Sequence, residues 1–385
     1  MPELNKVAQS IGESATMAAA GASTSHADPI NLAVGEPGEL PPQEILDAAS
    51  DALQSGNVRY GPPPGLPSLR FAIADRLTIQ SGVPWTDKNV VVTAGGKPAL
   101  MDAMRCTLMP GDEVLVLAPF WPSFIQQLEW CGATPVICEP SSDLLPDIEE
   151  IRSKCTAKTK AIIVNSPSNP TSVVYSAELL GELAGIAEEF DLWIFADQVY
   201  VDLAFDGQAP TLIRVVPEIR DRTVVIESFS KSYSMTGMRL GYAAANQELI
   251  EGMTKLTEAS STHVNIPTQV AGVKALLMPE SWLVEQRQRY KRRSQIVIDG
   301  FAEISGCEVK QPSAALYVFA RIQDWLTRNG NISDLEFTNL LLKSAGVRLV
   351  PGSAFGSPGF IRIACGLADD RLVETMDRLK SFMAN

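Results

Sequence analysis

The chain predicts an α/β protein with two parts: a large domain built on a mostly parallel sheet between helices, and a smaller α/β domain following it. Three observations lead there. Short apolar runs recur at 90–93, 113–118, 160–165, 191–197 and 224–228, and strands that read as nearly continuous apolar runs are buried on both faces. Segments with 3.6-residue apolar spacing separate them, which is the pattern of a helix-crossed parallel sheet. At 385 residues the chain also exceeds one ordinary domain.

Composition narrows the function classes. A hydrophobic content of 45% with 20% charged residues is ordinary for a globular protein. The net charge of -13 argues against nucleic acid or an anionic membrane surface as partner, because the overall field repels polyphosphate. Any phosphate site must therefore be local. The six cysteines, Cys106, Cys131, Cys138, Cys155, Cys307 and Cys365, form no CxxC pair, so reduced thiols in a cytoplasmic setting are expected. With His26 and His263 the only histidines, no metal site is expected, and both read as structural or solvent-exposed. The stretch 17–22 is too short for a signal or spanning helix.

Taken in order, residues 1–30 are rich in Ala, Ser and Thr and predict a helix near 6–17 followed by a loose arm. A short strand from Ile30 runs into Gly35, Pro37, Pro41 and Pro42, a set of rigid turns. Residues 43–54 have helical spacing. The segment Arg59-Tyr60-Gly61 then enters a Pro- and Gly-rich turn, where Tyr60 alone reads as a packed loop residue. The strand at 89–93 passes through Gly95, Gly96 and Lys97 into a helix with Leu100, Met104 and Leu108 on one face. Glycines at such a turn let backbone N–H groups approach a phosphate at the positive helix end. The third glycine of a dinucleotide fingerprint is missing.

The strand at 113–118 ends at Pro119-Phe120-Trp121-Pro122, where Trp121 reads either as a core cap or as a platform for a planar ring. The strand at 160–165 runs into Asn169-Pro170-Thr171, a turn by composition. Asp197 closes the run 191–197, with Tyr200 three residues on. A carboxylate at that depth needs a cation or hydrogen-bond donors. After the run 224–228 come Ser228, Lys231 and Arg239. A desolvated lysine loses its proton readily and becomes a nucleophile towards aldehydes, and the flat arginine fork suits phosphate oxygens; the plain alternative is a surface turn. Helices are expected near 247–257 and 269–278, then a long charged one at 281–300 with Arg287, Arg289, Lys291, Arg292 and Arg293 outward. Strands near 315–320, 347–350 and 360–364 complete the chain, the last placing Arg362 on a face distinct from Ile361 and Ile363.

In this order Asn169-Pro170-Thr171, the Asp197/Tyr200 pair, Ser228-Phe-Ser-Lys231 and Gly237-Met-Arg239-Leu-Gly241 closely resemble the class I/II aminotransferases of fold type I. The resemblance runs from Asn31 onward. It implies the seven-stranded-type sheet of that fold and pyridoxal phosphate as cofactor. Lys231 would bond the cofactor aldehyde, while Gly95, Gly96, the Lys97 backbone, Ser228 and Arg239 would hold the phosphate. Trp121 would stack on the ring, Asn169 and Tyr200 would bond its 3-oxygen, and Asp197 would face its nitrogen. Tyr60 would cross a dimer interface to the phosphate of the other subunit, which implies a homodimer with shared sites. Arg362 would bind the substrate α-carboxylate, with Gly35, Asn169, Trp121 and Lys97 bordering the substrate. In one aspartate-using subgroup the lysine after the glycines reaches the distal carboxylate, and Lys97 matches it.

The reaction implied moves an amino group from aspartate or another acidic donor to a 2-oxo acid such as 2-oxoglutarate. Aromatic or small neutral donors are the alternatives. Two departures stand out: the segment after Pro37 lacks the usual acidic-aromatic pair, and Gln198 replaces the acid that commonly follows the aspartate. The expected division is 1–45 as arm and part of the small domain, 46–285 as the large cofactor-binding domain and 286–385 as the small domain. Carbon-sulfur lysis or another elimination on the same scaffold is the first rival. A ligand-sensing regulator domain is the second, and it needs a basic DNA-binding module ahead of the fold; apart from His26, Lys6 is the only basic residue in 1–58.

Overall fold

A computed structural model describes residues 2–384. Its strands are, in chain order, β1 (Ile30–Asn31), β2 (Val90–Thr93), β3 (Glu113–Leu117), β4 (Thr134–Cys138), β5 (Thr159–Asn165), β6 (Trp193–Asp197), β7 (Thr223–Ser228), β8 (Gly241–Ala244), β9 (Glu308–Val309), β10 (Tyr317–Arg321), β11 (Val347–Arg348), β12 (Val350–Pro351) and β13 (Phe360–Ala364). Seven of them form one sheet in the order β2-β8-β7-β6-β5-β3-β4. Only β8 runs against its neighbours, β2 and β7. The expected large, mostly parallel sheet is there.

Both faces of this sheet are covered, which explains the uninterrupted apolar runs. Val225 and Tyr242 belong to one buried cluster with Leu69, Ile73 and Leu240. Val224, Ile226 and Ala243 belong to another with Leu100, Met104 and Phe124. Successive residues thus alternate between two cores, as strand geometry requires. Burying each large aliphatic side chain contributes about 1.5–3 kcal/mol, so the sheet is the rigid base for whatever its strand ends carry.

The smaller sheet is antiparallel in the order β12-β13-β10-β9, and β1 pairs with β11 beside it. Helix Glu280–Ala302 links the two regions: Leu283 packs into the large-sheet cluster, Val297 and Phe301 into the cluster of the small sheet. Its charges are not all outward as expected. Arg293 is buried, with its guanidinium 2.8 Å from Glu39 and 3.2 Å from Asp369, because Gln286, Tyr290, Arg293 and Val297 share the inward face at 3–4-residue spacing. Among the described residues no helix is long and apolar enough to cross a membrane.

The N-terminal segment differs from the expected single helix and loose arm. Two short helices, Lys6–Ser10 and Ala15–Gly21, are separated by a break. Gln126 donates to the Gly12 carbonyl at 2.8 Å, and Ala19 and Ala20 pack against the cluster of Phe319 and Phe355. Small side chains let this segment lie flat on the body of the protein. The helix expected at 269–278 begins earlier, at Ile266, because the Asn265 side chain caps it by accepting from the Thr268 N–H at 3.0 Å.

Candidate active site

β2, β3, β5, β6 and β7 all run out at one cavity of about 320 Å³. Parallel sheets present ligands at this edge. Gly35, Gly96, Lys97, Trp121, Asn169, Asp197, Tyr200, Ser228, Lys231, Arg239 and Arg362 all line it. Residues spread over most of the chain thus converge on one pocket.

Lys231 sits on the single turn Phe229–Ser232 that follows β7, a turn capped by the Ser228 side chain. Its Nζ donates to the Gly35 carbonyl. Burial lowers its affinity for the proton below the ordinary lysine value, with Arg362 and Arg239 adding to the effect and Tyr317 and Glu36 opposing it. The geometry therefore presents an amine that gives up its proton more readily than a surface lysine.

Asp197 ends β6 with its side chain buried. It accepts the Val199 N–H at 3.3 Å, and burial pushes its carboxyl up to about 7. No ion pair is recorded for it among the described residues. Beside it Asn165, at the paired position of β5, donates to the Asp197 carbonyl at 3.0 Å and accepts the Asn169 N–H at 2.9 Å. That bridge fixes the Asn169 turn relative to the strand that carries Asp197.

Arg362 comes from the middle of β13, opposite Phe319 of β10. It is buried, with Nη1 donating to Asn169 Oδ1 at 3.0 Å and Nη2 to the Ala33 carbonyl at 2.5 Å. Its Nε has no hydrogen-bond partner among the described residues. The guanidinium carbon lies 4.5 Å from the Tyr317 ring centre. Tyr317 in turn meets the Tyr200 hydroxyl at 2.8 Å, so the two tyrosines tie β10 to the turn after β6.

At the other end of the pocket Gly95 has φ +100 and leads into helix Gly96–Thr107. A Cβ there would be strained and would lie 2.6 Å from Arg239 Nη2. The arginine therefore rests directly on the glycine turn. Ser228 Oγ stands 2.9 Å from Ser230 Oγ, and Ser230 lines the cavity too. Lys97 Nζ lies 4.9 Å from the Trp121 ring centre.

Tyr60 lies outside this cavity. It is 89% exposed and meets His263 edge-on at 6.0 Å. His263 is structural, accepting the Gly61 N–H at 3.1 Å and bonding the Val264 carbonyl at 2.7 Å. The structure also brings in residues that sequence reasoning missed: Tyr317, Ser230 and, from the N-terminal segment, Ser14, Thr16 and Met17. Ser230 sat inside the lysine motif and was open to notice. The N-terminal residues carry no local signal.

The sequence profile of the family described as "Aminotransferase class I and II" matches residues 27–379. The chain belongs to this family and is an aminotransferase. Among its relatives, the aspartate aminotransferase of Thermotoga maritima is 36% identical over 358 residues, covering 92% of each chain. The structure of the aspartate aminotransferase from Thermus thermophilus with maleate superposes with a TM-score of 0.91 at 32% identity, covering 99% of this chain and 100% of that one. The aromatic aminotransferase from Pyrococcus horikoshii gives 0.88 at 34% identity, covering 93% and 96%.

Proposed function

We propose that the chain uses pyridoxal phosphate to move the amino group of aspartate to a 2-oxo acid such as 2-oxoglutarate. The observation that carries this reading is Asp197, a buried carboxylate that needs a cation, in the same cavity as a lysine of lowered proton affinity and a glycine turn roofed by arginine. The residues fit the cofactor. Gly95, Gly96, Ser228 and Arg239 would take its phosphate, Trp121 its ring face, Asn169 and Tyr200 its 3-oxygen, and Asp197 its ring nitrogen. When bound, pyridoxal phosphate supplies an aldehyde to which amines attach and a ring that takes up the electron pair left at the substrate Cα.

The chain's own groups do the rest. Arg362 binds the α-carboxylate, presenting its unpartnered Nε together with the Nη2 that now holds the Ala33 carbonyl. Lys231 leaves the Gly35 carbonyl, acts as base at the Cα of the amino donor and, in the return half of the reaction, as acid at the carbon that becomes the Cα of the amino-acid product, a task suited to an amine of lowered proton affinity. A cation beside Asp197 draws its carboxyl back to the ionised form. The Tyr200–Tyr317 pair keeps the two walls of the pocket in register.

Lys97, with Ser14 and Thr16 across the same cavity, supplies the donors for a distal carboxylate. Maleate, held by the Thermus protein, is a dicarboxylate of aspartate's chain length. Relatives named for amino transfer support transfer over elimination. The test is steady-state transfer to 2-oxoglutarate from aspartate, phenylalanine, alanine and cysteine. Aspartate should be preferred, and Lys97→Ala should raise KM for aspartate about tenfold while leaving alanine nearly unchanged, as expected when one charged hydrogen bond is lost. Equal losses on both donors would remove Lys97 from substrate recognition. Ammonia and pyruvate released without an oxo acid would favour elimination.

A homodimer with Tyr60 reaching the partner's phosphate site is part of the same proposal, supported by the exposure of Tyr60 outside its own cavity. We also retain the division into 1–45, 46–285 and 286–385, supported by the change of packing partner along helix Glu280–Ala302. A cytoplasmic setting agrees with six free cysteines.

A further inference from the structure

Glu227 is a carboxylic acid buried in the strand that delivers Ser228 and Lys231. It projects from the face of β7 that carries Val225, away from the face of Ile226 and Ser228. None of the steps above uses it. The Tyr242 hydroxyl donates to its Oε2 at 2.6 Å, and Oε1 has no partner among the described residues. The charged and titratable groups around it are Arg76 of helix Pro67–Ser81, Asp202, Tyr242 and Tyr233. Arg76 is already paired with Asp202, whose carbonyl also accepts from Arg287 Nε at 2.7 Å. The nearby guanidinium is thus committed to Asp202, and burial keeps the Glu227 carboxyl well above the usual carboxylate range.

The location gives this group a task. Glu227 stands directly opposite Tyr242 in the β7–β8 pairing, and the next pair is Ser228 with Gly241. Gly241 is wedged tightly: a Cβ there would lie 2.7 Å from the Gly96 nitrogen and 2.8 Å from the Glu227 carbonyl oxygen. Arg239, two residues earlier, rests on Gly95. The side-chain clasp therefore sits one residue pair from the contact that sets the height of the Gly95–Gly96 peptide.

We infer that Glu227 is a positioning residue for the phosphate end of the cavity: its hydrogen bond from Tyr242 clamps β7 to β8 so that Ser228, Arg239 and the Gly95–Gly96 amides converge on one phosphate group. The inference rests on the reading that a cofactor phosphate binds there.

The experiment compares two probes on the full-length chain, pyridoxal phosphate and pyridoxal, which share ring and aldehyde and differ in the phosphate. Binding is followed by absorbance, and melting curves report folding. Glu227→Ala and the milder Tyr242→Phe should weaken pyridoxal phosphate about tenfold and pyridoxal less than about twofold, as expected when one buried hydrogen bond that aligns the phosphate donors is lost. Glu227→Gln, which is neutral and still accepts from Tyr242, should bind both probes as wild type does. Equal weakening of both probes, unchanged phosphate affinity in both weakened variants, or a Glu227→Gln chain behaving like Glu227→Ala would overturn the inference. A wild-type chain that binds the two probes equally would instead defeat the cofactor reading beneath it.

Discussion

Lys231→Ala is expected to stop amino transfer, lowering kcat by more than about ten-thousandfold, because in the proposed function one side chain would serve both as nucleophile and as proton carrier. Neighbouring groups offer no substitute. Arg362 and Arg239 do not give up protons at working pH, and Lys97 Nζ is held over the Trp121 ring, 4.9 Å from its centre. The fold should survive, since Nζ makes one hydrogen bond, to the Gly35 carbonyl, and the turn that carries it is capped by Ser228. Single-turnover kinetics with aspartate and melting curves on the same sample check both halves. A variant within tenfold of wild type would remove Lys231 from the chemistry.

Asp197→Asn should cost about a hundred- to thousandfold in kcat, the range seen when one electrostatic partner of the reacting charge is removed. The same substitution has a second signature in the cofactor-free chain. Burial raises the Asp197 carboxyl from 3.8 to about 7, so the folded state binds this proton more tightly than the unfolded state does. That stabilisation is fully present below about pH 4 and is lost as pH rises to about 7, amounting to a few kcal/mol. Asparagine cannot titrate. The melting temperature of Asp197→Asn should therefore fall less steeply than that of wild type between pH 4 and 7. Parallel curves for the two proteins would mean that Asp197 is solvated in the free chain.

Both predictions concern residues whose positions were readable in the sequence, and the reason is physical. A strand buried on both faces leaves an uninterrupted apolar run, and its first polar residue marks where the backbone leaves the core. Asn165 and Asp197 end β5 and β6 in this way, and Ser228 ends β7 one residue after the buried Glu227. Parallel strands then bring those ends together at one edge. The glycine turn at Gly95 was readable for a similar reason, since only a glycine sits easily at φ +100.

What the sequence hid depends on contacts between distant elements. Tyr317 lies within an expected strand, but its role arises from meeting Tyr200, 117 residues away. Ser14, Thr16 and Met17 reach the cavity because the segment lies against helix Ser123–Cys131 and against β12. No local periodicity encodes that docking. The charged helix expected to face outward hides Arg293 because Glu39 and Asp369 come to it from separate parts of the chain. Glu227 was visible as an acid inside an apolar run, yet its surroundings, Arg76, Asp202 and Tyr242, come from three other elements.

In the proposed function this cavity binds pyridoxal phosphate and passes an amino group through it. Its most direct test is an absorbance titration of the purified chain with pyridoxal phosphate, followed by aspartate and then by 2-oxoglutarate. A lysine-bound cofactor band should disappear with aspartate, as oxaloacetate forms, and return with 2-oxoglutarate. A chain that forms no such band, or whose band is unmoved by every amino donor, would contradict it.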